Sequence, residues 1–175
     1  MTIIRLVAKF VLAALLLLAL LFGAATLYGW EHVWRVMAGP ADLGPVSFQG
    51  LSKTAKPNQA LICPPDLCDP ASIDRPSSIY DLPAMVLRER LLNSLRAEDD
   101  ITRVDGDTEP LKLRFIQRTW LMRYPDTIRI EIVPIEDTSS TIALYSQSQI
   151  GESDLGVNLE RAERWLGRLE PFERQ

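Results

Sequence analysis

An α+β domain carried behind an N-terminal membrane-spanning helix is the architecture this sequence predicts, and three observations point to it. Residues 10–30 contain no charged side chain, and 24 of the first 30 residues are apolar. Two segments, around residues 111–115 and 128–132, carry the period-two alternation of half-buried strands, and residues 141–148 read as a third long strand. Segments with helical spacing stand on either side of them, at residues 82–96 and 155–169. The expected domain is an antiparallel sheet of about four strands with two helices packed on one face.

The first element is the apolar run. About 20 apolar residues cross a bilayer as a helix, so residues 10–30 are read as a transmembrane segment behind a short n-region, residues 1–9. Tyr28, Trp30 and Trp34 cluster at its far end, where amphipathic rings favour the headgroup zone. Arg5 and Lys9 precede the span, and Arg35 is the nearby base after it. The excess of positive charge before the span predicts a cytoplasmic N-terminus, a single pass through the inner membrane and a periplasmic C-terminal domain. The lipid bilayer is thus the first expected partner. A cleaved signal peptide is the competing reading, since Gly23-Ala24-Ala25 offers a small-x-small site. The apolar run nevertheless continues through Leu27, Tyr28 and Trp30.

Eight of the twelve prolines fall between Pro40 and Pro83. Proline blocks helix and central-strand hydrogen bonding, so residues 31–56 read as a juxtamembrane, Pro-rich tether. The globular domain then spans residues 57–172, with 57–80 ordered but irregular. Cys63 and Cys68 are the two cysteines. A disulfide between them closes a small loop and suits an oxidising compartment; free thiols are the alternative. Redox chemistry lacks its Cys-x-x-Cys loop. Zinc lacks ligands, because the single histidine, His32, lies beside the membrane.

Within the domain, Met85, Val86, Leu91, Leu92 and Leu95 form the apolar face of a helix over 82–96, with Asp81 as its expected N-cap. A short strand over 101–104 runs into the Asp105-Gly106 turn. Leu111, Leu113 and Phe115 mark the next strand, and Ile128, Ile130 and Ile132 the one after. Residues 141–148 form the last. Leu155, Leu159, Ala162, Leu166 and Leu169 then step along the seam of a helix packed on the sheet, with Trp165 beside it.

Charge excludes one class of partner. The net charge is −4, and it becomes −6 once Arg5 and Lys9 are set aside. An acidic domain without a basic cluster is not built for nucleic acid. The absence of histidine from the domain excludes Ser–His and Cys–His nucleophiles. No cofactor or metal site is expected. Asp105-Gly106-Asp107 reads as a charged turn, lacking the full set of calcium ligands.

Two polar stretches remain. Apolar strand positions give way to Gln117 and Thr119 on one strand and to Ser146 and Ser148 on another. If neighbouring strands are antiparallel these polar ends need not meet, and simple sheet edges are the expectation. The densest polar stretch, residues 146–158, joins the last strand to the last helix. There Ser153 or Asp154 caps the helix, and the same end can present amides, a carboxylate and Asn158 to a ligand. Tyr124-Pro125-Asp126 begins a strand as a turn. Candidate contact residues for a ligand or partner are Asp126, Ser146, Ser148, Ser153, Asp154 and Asn158; no catalytic residue is assigned.

Three segments resemble one bacterial family of unknown function, number 1499. They are residues 57–68 (Pro-Asn-Gln-Ala-Leu-Ile-Cys-Pro-Pro-Asp-Leu-Cys), residues 123–128 (Arg-Tyr-Pro-Asp-Thr-Ile), and Ser146 to Ser148 with Gly151-x-Ser153-Asp154-Leu155-Gly156-Val157-Asn158 and Arg161. The resemblance covers about residues 57–170. It implies an exported or membrane-attached protein and supplies no catalytic residue. The expectation is a membrane-anchored envelope protein that acts as a binding module, or as a subunit or assembly factor of a membrane complex with a membrane-protein partner. A hydrolase using Asp126 and Asp154 as paired carboxylates, and a lipid-binding domain, are the alternatives.

Overall fold

The computed structural model describes residues 2–174. It divides into two units, Met1–Gly39 and Pro40–Gln175. The first holds α1 (Thr2–Tyr28) and α2 (Trp30–Ala38), separated at Gly29, whose φ of 97° few other residues adopt. Residues Ile3–Tyr28, which include an 18-residue stretch of mean hydropathy 2.7, are long and apolar enough to cross a membrane. The apolar run is therefore shifted from the expected 10–30, and Trp30 belongs to the second helix, where it stacks on Trp34 at 5.6 Å.

The second unit contains β1 (Gln59–Cys63), β2 (Arg75–Pro76), β3 (Ile79–Tyr80), α3 (Ala84–Leu95), β4 (Ile101–Arg103), β5 (Lys112–Arg118), β6 (Pro125–Glu136), β7 (Ser139–Ser148) and α4 (Val157–Gly167). Its sheet has seven strands, not about four, in the order β2-β1-β7-β6-β5-β4, with β3 also paired to β7. The expected antiparallel neighbours are β4 to β7. The additional strands lie in the Pro-rich stretch. All five residues of β1 are buried, so it shows no alternation. β2 and β3 are two residues each, and β2 runs parallel to β1.

Side chains on one face of the sheet meet both helices. Ile62, Leu144, Ile130 and Leu113 follow one another across neighbouring strands. They pack with Leu87, Leu91 and Leu95 of α3 and with Ala162, Trp165 and Leu166 of α4. Each fully buried Leu or Ile contributes roughly 1.5–3 kcal/mol. The buried stripe of α3 runs through Leu87 rather than Met85 and Val86, which are exposed. Asp81 does not cap this helix: Pro83 holds the N-cap position, and Asp81 accepts from Arg174 Nε at 2.7 Å.

The opposite face is covered by the chain leading into the domain. Phe48, Leu61, Cys63, Cys68, Ala143 and Tyr145 form a second core, and the Cys63–Cys68 disulfide lies within it. Leu43 donates its amide to Thr127 Oγ1 at 3.2 Å, Arg129 Nε donates to the Gly44 carbonyl at 2.7 Å, and Asp42 pairs with Arg114 at 2.8 Å. Residues 40–56 are thus a strap on the sheet rather than a free tether, and the compact unit begins at Pro40 instead of residue 57. Proline restricts φ but leaves the chain extended, which is the geometry a strap needs.

Glu98 joins the last helix to the region after α3. It accepts from Arg164 Nη2 at 3.1 Å and from Arg168. Burial pushes its pKa up, but these guanidinium groups and the Trp165 side chain outweigh burial and bring it to about 2 from 4.5. The folded pKa lies below the unfolded one, so the stabilisation is present above pH 4.5 and lost as pH falls toward 2. Glu98→Gln should cost about 1–2 kcal/mol at pH 7, allowing for the solvent around both arginines, and little at pH 2. Urea unfolding at the two pH values measures the difference; equal costs at both would contradict this account.

Candidate functional site

β6 lies between β5 and β7 and is antiparallel to both, so β5 and β7 run in the same direction. Their polar ends therefore coincide, against the expectation of separate edges. Gln117, Asp126 and Ser148 form one cross-strand row, and Phe115, Ile128 and Ser146 the next row on the same face. The face turns from apolar to polar toward this end of all three strands, one row earlier on β7, where Ser146 follows Leu144, than on β5 and β6.

α4 brings the other half of the site. Its stripe against the sheet contains Asn158, Arg161, Ala162, Trp165 and Leu166. Leu155, expected on this seam, is instead 93% exposed and precedes the helix with φ 55°. Gly156 at the N-cap has φ 86°. A Cβ there would meet nothing within 4 Å, so the glycine answers a backbone requirement and not a close approach.

Arg161, 5% exposed, donates from Nη2 to Asp126 Oδ2 at 2.5 Å. Its Nη1 donates to Asn158 Oδ1 at 2.7 Å and Ser146 Oγ at 3.1 Å. Ser146 Oγ also donates to Asn158 Oδ1. Asn158 Nδ2 reaches Asp154 Oδ2 at 2.6 Å, Ser148 Oγ at 2.8 Å and the Asn58 carbonyl at 3.2 Å. Asn58 Nδ2 in turn donates to the carbonyls of Ser148 and Gly151. Asp154, two residues before the Gly156 N-cap, accepts the Gly156 and Asn158 amides, both at 3.0 Å, and so satisfies amides at the start of α4. Ser153 Oγ accepts the Leu155 amide at 3.2 Å. Burial pushes the Asp154 carboxyl up, but the Gly156 amide and the Asn158 groups more than offset this and hold it below its usual value.

A depression of about 300 Å³ opens above this network. Asp126, Ser148, Ser153 and Asp154 line it, together with Thr119, Tyr124, Ile150 and Val157. Ser146 and Asn158, fully buried, lie in the network below. The candidate residues thus come together from three elements. Arg161 and Asn58 were not among them, although both fall in the family-like segments. The signal for Arg161 is its spacing: three residues after Asn158 and four before Trp165, on one helical face.

The family model described as "Protein of unknown function (DUF1499)" matches residues 51–169. The chain belongs to this family. The match spans the disulfide loop, the Pro125-Asp126 strand start and the α4 cap, all parts of the DUF1499 domain, and reaches back into the strap. No curated protein matches the chain.

Proposed function

We propose that this chain is a single-pass membrane-attached binding module, with α1 in the inner membrane, its N-terminus in the cytoplasm and the DUF1499 domain in the periplasm. The apolar length of Ile3–Tyr28 supports the anchor. Arg5 and Lys9 before the span support its orientation. The disulfide fits an oxidising compartment.

The observation that carries the binding reading is the depression above the buried Asp126–Arg161–Asn158–Asp154 network. Asp126 faces the Arg161 guanidinium, Asp154 faces the Asn158 amide group and the start of α4, and the hydroxyls of Ser148 and Ser153 stand on the wall. Such a surface is rich in acceptors and carries net negative charge. It suits a ligand that donates several hydrogen bonds, such as an ammonium or polyhydroxyl group. The same geometry argues against hydrolysis by paired carboxylates. Asp126 is committed to Arg161, and Asp154, held below its usual value by helix amides, lacks the raised pKa a general acid needs. A lipid carrier needs an apolar cavity, and the space between sheet and helices is filled by Trp165 and its neighbours.

Val157→Trp fills the depression without touching the network. Native mass spectrometry of the full chain, released from mild detergent, should show a small-molecule adduct on the wild type and its loss in V157W. A wild type without any adduct, or an adduct that V157W retains, would sink the binding reading.

A further inference from the structure

The chain segments flanking the depression expose large apolar side chains next to its lining residues Thr119, Asp154 and Val157. Trp120 and Leu121, between β5 and β6, are 81% and 48% exposed; Leu155, between β7 and α4, is 93% exposed, and Val157, the first residue of α4, is 46% exposed. Both connections leave the sheet at one end, because Arg118 pairs with Pro125 and Ser148 with Asp126. Leu155 holds a positive φ of 55°, rare for an aliphatic residue, and this conformation gains no packing for its side chain. Large apolar side chains gathered this way mark an interaction surface.

The chain itself indicates what covers it. Gln149, next to Ile150 of the rim, donates from Nε2 to the Pro40 carbonyl at 2.6 Å. Pro40 is the first residue of the domain, so the domain is joined to the segment bearing the apolar helix at this same end. In that segment α2 runs to Ala38 and exposes Val36 and Met37. The charges near the rim are mixed: Arg123 pairs with Asp100 and Lys56 with Glu152.

Resting on the membrane-anchored reading above, we infer that Trp120, Leu121 and Leu155 insert into the headgroup zone of the bilayer and turn the mouth of the depression toward lipid. The ring and the aliphatic tips supply the attachment, as amphipathic and apolar groups do at interfaces. Without a basic patch, attachment is independent of anionic lipid and of salt.

The test uses the full chain carrying Trp30→Phe and Trp34→Phe, reconstituted in phosphatidylcholine vesicles brominated near the acyl carbonyls. Trp120 and Trp165 then remain, and Trp165 is buried. Trp120 emission should fall about twofold relative to unbrominated vesicles, unchanged by salt, with Leu155→Ser weakening the effect. Adding Trp120→Phe should remove the quenched component. Floating vesicles whose Trp120 is untouched by bromine yet quenched by aqueous acrylamide overturn the insertion alone. A chain that does not float with vesicles overturns the anchored reading and this inference together.

Discussion

Replacing Arg161 by leucine should lower the unfolding free energy of the domain by about 3–5 kcal/mol, because it strands Asp126 as an uncompensated charge in a buried site. Arg161 and Asp126 are each only 5% exposed. The guanidinium also serves Asn158 and Ser146, so its loss leaves further buried acceptors short of a donor. The double variant Arg161→Leu with Asp126→Leu should recover much of that loss, since removing both charges abolishes the desolvation penalty as well as the attraction. Denaturant unfolding of both variants in mild detergent measures the two effects. If R161L unfolds within about 0.5 kcal/mol of wild type, the network does not hold the site together.

Trp165→Ala should cost a similar amount, about 3–5 kcal/mol, for a different reason. The indole is fully buried and meets Phe115 edge-on, with ring centroids 6.1 Å apart. It fills the space between α4 and the sheet, and the sheet cannot collapse onto the gap, since β6 is hydrogen-bonded to β5 on one side and to β7 on the other. Trp165→Phe keeps most of that volume and should cost less than half as much. An alanine variant that loses under about 1 kcal/mol would show that α4 is not fastened by this side chain. Because small domains are stable by only about 5–15 kcal/mol, either substitution consumes a large share.

β5 and β6 were legible because Leu113 and Phe115, and Ile128, Ile130 and Ile132, alternate with polar residues, so period two survives in the residue order. β1 was not, since burial on both faces erases the alternation and the prolines around it suggested irregular chain. The strap was illegible for a related reason. Extended Pro-rich chain looks the same in sequence whether it lies free or packs through Phe48 and Asp42. At the site, Asp154 was readable as a partner of the first helix amides from its place before a helix. Arg161 was not, because a charged residue on a helix is ordinarily solvated, and its burial becomes favourable only opposite Asp126, 35 residues earlier. Leu155 failed in the other direction. Its spacing fitted the seam, but the helix starts two residues later, behind a left-handed Gly156.

The sequence by itself determined the apolar helix, the α+β class, the cysteine pair and the polar segments worth attention. These follow from local composition and periodicity, which neighbours in the chain carry. Only the tertiary structure decided that the polar ends of β5 and β7 coincide. That depends on β6 lying between them in opposite sense, a long-range pairing whose register no local pattern encodes. The same pairing puts Asp126 under Arg161, and with it converts three separate turns and caps into one depression over a buried network.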